Sequence, residues 1–265
     1  MSTSTTGFPF FRLLVLTGAI FASVSSEFLP TGLLPEMAAE LKVSESQIGL
    51  LVTVFAGTVV LSTAPLTVLT RRYSRKWLMV LLLGIFALTN VLCAIAPTYW
   101  FLVGARVLGG LAHGLFWAVT GPYAALLVPR HQLARAISIT NAGGTMAFIL
   151  GVPIGTFLGH ALGWRLAFGA MAAVVVVFMV FVILYLPPVS HLVTLATGEI
   201  AIPTRKDRSL PAVVIVCLTV VLVITGQNIF STYIAPWVIQ VGGIDEGAVS
   251  GLLFVYGAAG AIGLA

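Results

Sequence analysis

The chain has 265 residues, of which 59% are hydrophobic and only 8% are charged. Soluble domains carry about a quarter charged residues, so this composition excludes an ordinary soluble protein and indicates one that crosses a membrane several times. The formal net charge of +5 does not indicate nucleic-acid binding, because the basic residues lie in short segments between apolar runs rather than on one soluble surface.

Apolar runs of about 20 residues or more, the length that crosses a bilayer as a helix, recur along the chain. Because the bilayer core offers the backbone no other hydrogen-bond partners, each run is predicted to be a transmembrane helix and the fold to be an all-α polytopic membrane protein. The predicted spans are residues 13–34, 48–70, 77–96, 100–128, 136–160, 166–186 and 211–238. An eighth run begins near Ala248 and is still apolar at Ala265.

A polar segment rich in proline and charge divides the chain after the sixth span. The predicted domains are a six-helix transmembrane half (1–186), a cytoplasmic linker (187–210) and the start of a second transmembrane half (211–265). A weak repeat crosses the linker, since Pro35 followed by the Gly-Leu-Leu of 49–51 is echoed by Pro236 and the Gly-Leu-Leu of 251–253. Two halves that begin alike are typical of transporters built from parallel repeats, and the second half is expected to be incomplete.

Basic residues concentrate in alternate loops, which sets the predicted orientation. They follow the second, fourth and sixth spans: Arg71, Arg72, Arg75, Lys76, Arg130, Arg135, Arg205, Lys206 and Arg208. By the positive-inside rule these loops and the amino terminus are cytoplasmic.

A carboxylate and a guanidinium are predicted to lie in the membrane interior. Glu27 lies about six residues from the end of the first span, roughly 9 Å deep at 1.5 Å per residue, and Arg106 enters the fourth span from the same side. Exposing either charged group to lipid would cost free energy, so we expect the two to meet or to share a water network. A proton-carrying pair is the favoured interpretation, and a static ion pair that locks two helices is the alternative.

Arg106, Gly110, His113 and Trp117 follow one another at helical spacings and share one face of the fourth span. His113 suits a proton step or a hydrogen bond to substrate, and a neutral histidine bonded to a neighbouring helix is equally compatible with its position. Trp117 is interpreted mainly as packing, although an indole in the cavity would fit a sugar or an aromatic drug.

Weaker candidates for cavity or substrate contacts are the polar residues of the third, fifth and seventh spans: Asn90, Asn141, Asn228 and Tyr233. Interhelical hydrogen bonds are their commoner role. The fifth span also contains Gly151, Pro153 and Gly155, which predict close helix packing and a bend.

Metal-binding, nucleotide-binding and nucleophile motifs are absent from the sequence, so we predict no metal, no cofactor and no enzymatic activity. Without a nucleotide domain, energy for transport would come from a gradient. Cys93 and Cys217 lie inside apolar runs and predict no disulfide.

Several of these motifs resemble the major facilitator superfamily, in particular the drug:proton antiporter branch that contains bacterial sugar efflux (arabinose efflux permease-like) transporters. Residues 27–35 (EFLPTGLLP) resemble the opening signature of that branch, and 112–117 (AHGLFW) its segment in the fourth helix. The glycines and proline of 151–155 (GVPIG), followed by Gly-Trp-Arg at 163–165, are similar to the antiporter motif of the fifth helix. Arg72, Arg75 and Lys76 match the loop motif between the second and third helices, with Arg71 where aspartate is usual and Ser74 where glycine is usual.

The resemblance implies twelve helices in two halves and a role for Arg106 in proton coupling. We therefore predict proton-coupled efflux of sugars or drugs across the bacterial inner membrane by alternating access. Glu27 and Arg106 would couple protons to a small-molecule substrate, and the protein would be a monomer in the lipid bilayer. A proton-independent facilitator or importer and an inactive, truncated membrane protein are the alternatives.

Overall fold

The computed structural model describes residues 8–188 and 210–240, with side chains in the second range described only as far as Gly226. Contacts divide the chain into two units, Met1–His191 and Leu192–Ala265. In the second unit the described element is one helix, α9 (Leu210–Gln240), which contains the predicted seventh run. The predicted eighth run, the repeat at 251–253 and most of the predicted linker lie outside the described residues.

Within its described residues, the first unit consists of helices joined by short loops. Its helices are α1 (Phe10–Phe28), α2 (Leu34–Leu41), α3 (Glu45–Thr70), α4 (Arg75–Ala94), α5 (Tyr99–Leu126), α6 (Leu133–Met146), α7 (Val152–Leu162) and α8 (Trp164–Tyr185). Six segments are long and apolar enough to cross a membrane, and we number them spans 1 to 6: Phe10–Gly32, Glu45–Thr70, Arg75–Ala94, Tyr99–Leu126, Arg130–Leu162 and Trp164–Tyr185. The prediction of an all-α polytopic membrane protein is thereby confirmed.

Capping residues set the helix starts that hydropathy leaves open. Ser44 and Gln47 form a capping box, in which each side chain bonds the other residue's backbone N–H, so α3 begins at Glu45, before the apolar run itself. Thr98 accepts a hydrogen bond from the backbone of Phe101 and starts α5 in the same manner.

Span 1 ends differently from its prediction because of Pro30. The α-helix stops at Phe28, continues as a 3₁₀ turn over Leu29–Gly32, and is followed by the separate short helix α2. Proline has no backbone N–H to donate, so the α-helical hydrogen bond from residue 30 to the carbonyl of Ser26 cannot form at this turn.

Span 5 contains a π-helical turn, Ala147–Gly151, between α6 and α7. The predicted single helix over 136–160 is therefore two α-helices joined by a wider turn, with Pro153 in the first turn of α7, where its missing N–H costs little. A Cβ on Gly151 would lie 1.9 Å from Oγ of Ser25, and one on Gly155 would lie 2.5 Å from Leu29. Both glycines thus let span 5 approach span 1 closely.

Spans 1 and 4 supply most of the buried polar groups of the bundle. Span 1 packs against spans 5 and 6, span 3 packs against spans 4 and 6, and span 2 packs against span 4. A larger apolar cluster lies toward the end of the bundle that carries the Arg72 loop, and a smaller one lies toward the end that carries the Lys42 loop. The buried polar side chains of Ser26, Asn90, Arg106 and His113 are held within this packing.

At the Lys42 end, α2 is tied to spans 5 and 6 by two ion pairs. Glu36 contacts His160, and Glu40 accepts hydrogen bonds from Nε of Arg165 at 2.8 Å and from the indole of Trp164 at 2.5 Å. Arg165 also donates to the carbonyls of Ala94 and Ala96, which end span 3. We call the contacts of Glu40, Trp164 and Arg165 the Glu40 clamp.

Candidate functional site

Arg106 is buried in the middle of the site and bonds the main chain of span 1. Its Nη1 donates to the carbonyl of Ser26 at 3.2 Å and its Nη2 to the carbonyl of Glu27 at 2.7 Å. The guanidinium also lies over the ring of Phe55 in span 2, 4.2 Å from its centroid. Arg106 therefore contacts Glu27 through a backbone oxygen rather than through the carboxylate.

Pro30 accounts for one of these contacts. In an α-helix the carbonyl of Ser26 would accept from the N–H of residue 30, and proline has none. A buried carbonyl without a donor is costly, and Arg106 supplies the missing hydrogen bond from span 4. The sequence thus encodes the contact through a proline on one helix and an arginine on another.

The carboxylate of Glu27 turns toward His113. Oε2 of Glu27 lies 3.2 Å from Nε2 of His113, and the two side chains are 18% and 5% exposed. The indole Nε1 of Trp117 donates to the same Nε2 at 2.7 Å, and Nδ1 of His113 lies 3.0 Å from the hydroxyl of Ser23. Four side chains from spans 1 and 4 thus form one polar chain: Ser23, His113, Glu27 and Trp117.

The hydrogen-bond donors and acceptors of these four side chains favour a protonated Glu27. The indole of Trp117 can only donate, so Nε2 of His113 accepts and the imidazole proton lies on Nδ1, facing Ser23. An ionised Glu27 would then place its charge against the electron pair of Nε2. A proton on Glu27 removes this repulsion, and the protonated carboxyl then competes with the indole of Trp117 for the single lone pair of Nε2.

Glu27 and His113 line a cavity of about 550 Å³ in the first unit. The other lining residues are apolar or aromatic, with contributions from spans 1, 2, 4 and 5: Val24, Phe28, Ala56, Val59, Val60, Trp117, Gly144 and Phe148. Trp117 is 38% exposed, and Phe28 packs against Phe148 with 4.8 Å between ring centroids. A ligand in this cavity would meet aromatic walls beside one carboxyl group and one imidazole.

The remaining predicted residues of this group lie elsewhere. Asn90 is buried and donates to the hydroxyl of Ser26 at 2.7 Å and to the carbonyl of Phe86 at 2.8 Å. Asn141 is exposed on α6 and is not among the residues that line the cavity. The side chains of Asn228 and Tyr233 lie outside the described residues.

The two predicted motifs occupy separate places. Arg72 is exposed in the loop between spans 2 and 3, while Lys76 donates to the carbonyl of Ile183 at 2.8 Å and so joins span 3 to the end of span 6. Gly151 and Gly155 face span 1, as described above, and Pro153 is exposed.

Sequence reasoning missed two contributors. Ser26 contacts both Asn90 and Arg106, and Phe55 packs against Arg106 and against the imidazole of His113. The position of Ser26, four residues before Pro30, was the available signal. Phe55 gave none, because a phenylalanine in an apolar run has no distinguishing pattern.

The sequence and fold were compared with known proteins. The family model of the Major Facilitator Superfamily matches residues 16–265. The chain belongs to the major facilitator superfamily. This superfamily consists of transporters rather than enzymes.

Among curated relatives within the superfamily, a probable sugar efflux transporter of Helicobacter pylori (strain P12) is 32% identical over 97% of this chain. Another, from Mannheimia succiniciproducens, is 26% identical over 96% of this chain. The chain spans 64% and 63% of the lengths of these relatives.

Solved structures of the superfamily share the fold at low identity. A bacterial homolog of the human lysosomal transporter Spinster, inward-facing and occupied, has a TM-score of 0.65 at 18% identity, covering 92% of this chain and 57% of that one. The proton:xylose symporter XylE bound to 6-bromo-6-deoxy-D-glucose has a TM-score of 0.60 at 17% identity, covering 66% and 44%. The chain is thus a partial facilitator fold relative to these full-length proteins.

Proposed function

We propose that the protein is a proton-coupled efflux transporter of the facilitator type, working by alternating access in the bacterial inner membrane. Its substrates would be sugars or related small molecules, with amphipathic drugs as the second class. The loops that carry Arg72 and Arg130 would face the cytoplasm, and substrate would enter the cavity beside Glu27.

One observation carries the proton coupling: the carboxyl group of Glu27 lies 3.2 Å from Nε2 of His113 at the wall of the cavity. This arrangement supports a proton carried by Glu27 and directed at Nε2 of His113. A substrate that displaced the carboxyl from His113 would release that proton, and return of a proton would restore the contact. Binding of substrate and binding of the proton would therefore exclude each other, as antiport requires.

Arg106 would have a positioning role rather than the proton-coupling role that the sequence predicts for it. Since its two terminal nitrogens are engaged by carbonyls of span 1, it would hold the backbone at Ser26 and Glu27 in place and supply a fixed positive charge beside the proton site. Glu27 would be the group that changes protonation, and His113 would be its neutral partner.

The substrate class follows from the relatives and from the cavity together. The similar proteins from Helicobacter and Mannheimia are named probable sugar efflux transporters, which supports a sugar. The walls formed by Phe28, Trp117 and Phe148 support a ligand with an apolar face. A sugar ring stacked on an aromatic side chain satisfies both, and an amphipathic drug satisfies the second.

Efflux in everted membrane vesicles tests the proposal, with the protein expressed from its complete gene. Vesicles energised to an acidic interior are expected to accumulate labelled arabinose or chloramphenicol, and a protonophore is expected to abolish this accumulation. Glu27→Gln is expected to lose gradient-driven accumulation while retaining exchange of substrate across the membrane. Glu45→Gln, which changes an exposed carboxylate at the Lys42 end, is the matched control and should behave as wild type.

The alternatives give different results. Protonophore-insensitive uptake by the wild type that stops at equal concentrations on the two sides would identify a proton-independent facilitator and refute antiport. Accumulation by Glu27→Gln at the wild-type level would refute the role of Glu27 in coupling. Failure of the wild-type protein to move either substrate, or to exchange it, would support an inactive membrane protein.

A further inference from the structure

A second, much smaller cavity lies beside Arg106, and Glu27 is not among its lining residues. Its volume is about 10 Å³, and its lining comes from spans 1, 2, 3 and 4. Polar lining is contributed by Ser23, Ser26, Thr89, Asn90, Cys93 and Arg106. A single water molecule needs about 10–15 Å³ measured in this way, so the cavity has room for one.

Two buried polar atoms of residues that line this cavity lack a hydrogen-bond partner among the described residues. They are Nε of Arg106, a donor, and Oδ1 of Asn90, an acceptor. The two residues are 3% and 1% exposed. Leaving such groups unpaired is costly, and native proteins satisfy nearly all of them.

The orientation of the Asn90 amide is fixed by its other contacts. Nδ2 lies 2.8 Å from the carbonyl of Phe86, which can only accept, so the nitrogen and not the oxygen faces that carbonyl. The same nitrogen donates to the hydroxyl of Ser26 at 2.7 Å. The amide oxygen is therefore the atom left over, and a flipped amide would place two acceptor oxygens, Oδ1 and the carbonyl of Phe86, against each other.

We propose that the cavity binds one ordered water molecule, which accepts from Nε of Arg106 and donates to Oδ1 of Asn90. A donor on one wall and an acceptor on the other select a ligand that is both, and the volume excludes anything larger than water. An anion would suit Arg106 but would be repelled by Oδ1. The hydroxyls of Ser26 and Thr89, in the same lining, provide further partners of the kind a buried water uses.

This water would give Nε of Arg106 its partner. Nη1 and Nη2 are held by span 1, and the water would join Nε to Asn90 in span 3, so that residues of spans 1, 3 and 4 fix one guanidinium. Each of the three guanidinium nitrogens would then donate to at least one acceptor other than the carboxyl group of Glu27. The site is independent of transport, and its test does not depend on the proposed function.

X-ray hydroxyl-radical footprinting in ¹⁸O water, read by mass spectrometry, tests the site on the protein made from its complete gene. Cys93 lines the cavity, is only 2% exposed, and carries a thiol that reacts readily with radicals formed from an adjacent water. Oxidation of Cys93 is expected in wild type despite its burial, with Tyr73, 63% exposed in a loop, as the reference for open solvent. Asn90→Leu, which removes the acceptor and fills the space, should reduce Cys93 oxidation severalfold, whereas Asn90→Asp, which keeps an acceptor oxygen, should retain it.

An unreactive Cys93 in wild type, or equal oxidation in wild type and Asn90→Leu, would overturn the proposal. If Asn90→Leu fails to fold, a wild-type density map at a resolution that shows ordered water decides. A peak between Nε of Arg106 and Oδ1 of Asn90 would support the site. Continuous packing, or a direct bond between these two atoms, would refute it.

Discussion

The arginine at position 106 is required for its shape as well as for its charge. Its planar guanidinium donates to two adjacent carbonyls, those of Ser26 and Glu27, and lies over the ring of Phe55. A lysine carries the same charge as a single point on a flexible stem and cannot reproduce a forked contact. Arginine and lysine carry the same charge, but only arginine can make both hydrogen bonds at position 106.

We expect Arg106→Lys to lower the free energy of unfolding by about 1–3 kcal/mol, because at least one buried carbonyl of span 1 loses its donor. Denaturant or thermal unfolding of the purified protein in detergent measures the change. Arg130→Lys, at an exposed arginine, is the control and should stay within about 0.5 kcal/mol of wild type. Equal stability of Arg106→Lys and wild type would contradict the forked contact.

At the same scale, the sequence predicted which ionisable residues face the protein interior better than how they are paired. Glu27, Arg106 and His113 were identified because ionisable groups in apolar helices are rare and must face the protein interior. Their pairing depends on the rotation and height of span 1 against span 4, which a single sequence does not specify. The sequence suggested a pair between Glu27 and Arg106, and the carboxyl group instead approaches His113, as the imidazole lies on the same side of span 4 and Arg106 is engaged by the backbone.

Among the helical elements, the contact between spans 1 and 5 depends on glycine at particular positions. A Cβ on Gly143 would lie 2.1 Å from the backbone oxygen of Thr17, a group that cannot move aside without shifting span 1. Its neighbour Gly144 has nothing within 4 Å of the corresponding point. A larger side chain at position 143 would therefore clash with span 1, whereas one at the adjacent position 144 would not.

We expect Gly143→Ala to destabilise the protein by about 1–3 kcal/mol, the usual cost of overpacking, or to push spans 1 and 5 apart. Gly144→Ala is the matched control and should be neutral or stabilising by about 0.5–1 kcal/mol, because alanine favours a helix interior. Thermal unfolding of both variants in detergent measures the difference. Equal melting temperatures would show that the two helices are not in this contact.

The Glu40 clamp makes the attachment of α2 sensitive to acid. The hydrogen bond from Arg165 holds the pKa of Glu40 below its ordinary value of 4.5, partial burial opposes this effect, and the bond from Trp164 reinforces it. Because the pKa is lower in the folded protein, the clamp contributes stability above the unfolded value and loses it as pH falls through the folded value.

We expect Glu40→Gln to lower the free energy of unfolding at neutral pH by about 0.2–1 kcal/mol, the range for exposed ion pairs. The difference from wild type should shrink as pH falls below about 4.5, where wild type loses the same charge. Melting curves of both proteins across this pH range measure the effect, with Glu45→Gln as a control. A difference that stayed constant with pH would exclude the clamp as its source.

At the scale of the molecule, hydropathy was sufficient to predict the six spans found among the described residues and insufficient to place their ends. The predicted runs 48–70 and 77–96 correspond to Glu45–Thr70 and Arg75–Ala94, because about 20 apolar residues leave a helix little alternative in a bilayer. The observed helix ends differ from the predicted ones where local residues determine them, as at the capping box of Ser44 and at Pro30. The π-helical turn of span 5 could not be predicted from hydropathy, because one wider turn does not interrupt an apolar run.

The orientation of the chain rests on its loop charges and can be measured directly. The Arg72 end carries basic residues that the positive-inside rule assigns to the cytoplasm, whereas the Lys42 end holds Glu36 and Glu40. Tyr73 is 63% exposed in the loop between spans 2 and 3, and Ser46 is exposed near the start of α3 at the opposite end. These two positions therefore report on the two sides of the membrane.

We expect Ser46→Cys to react with a membrane-impermeant maleimide in intact spheroplasts and Tyr73→Cys to react only after the membrane is permeabilised. Both substitutions belong in a background that carries Cys93→Ser and Cys217→Ser, so that the introduced thiol is the only one labelled. Each variant labelled after permeabilisation serves as the control for reactivity of the other. The reverse pattern would place the Arg72 end outside the cell, and the cavity beside Glu27 would then have to be approached by substrate from the opposite direction.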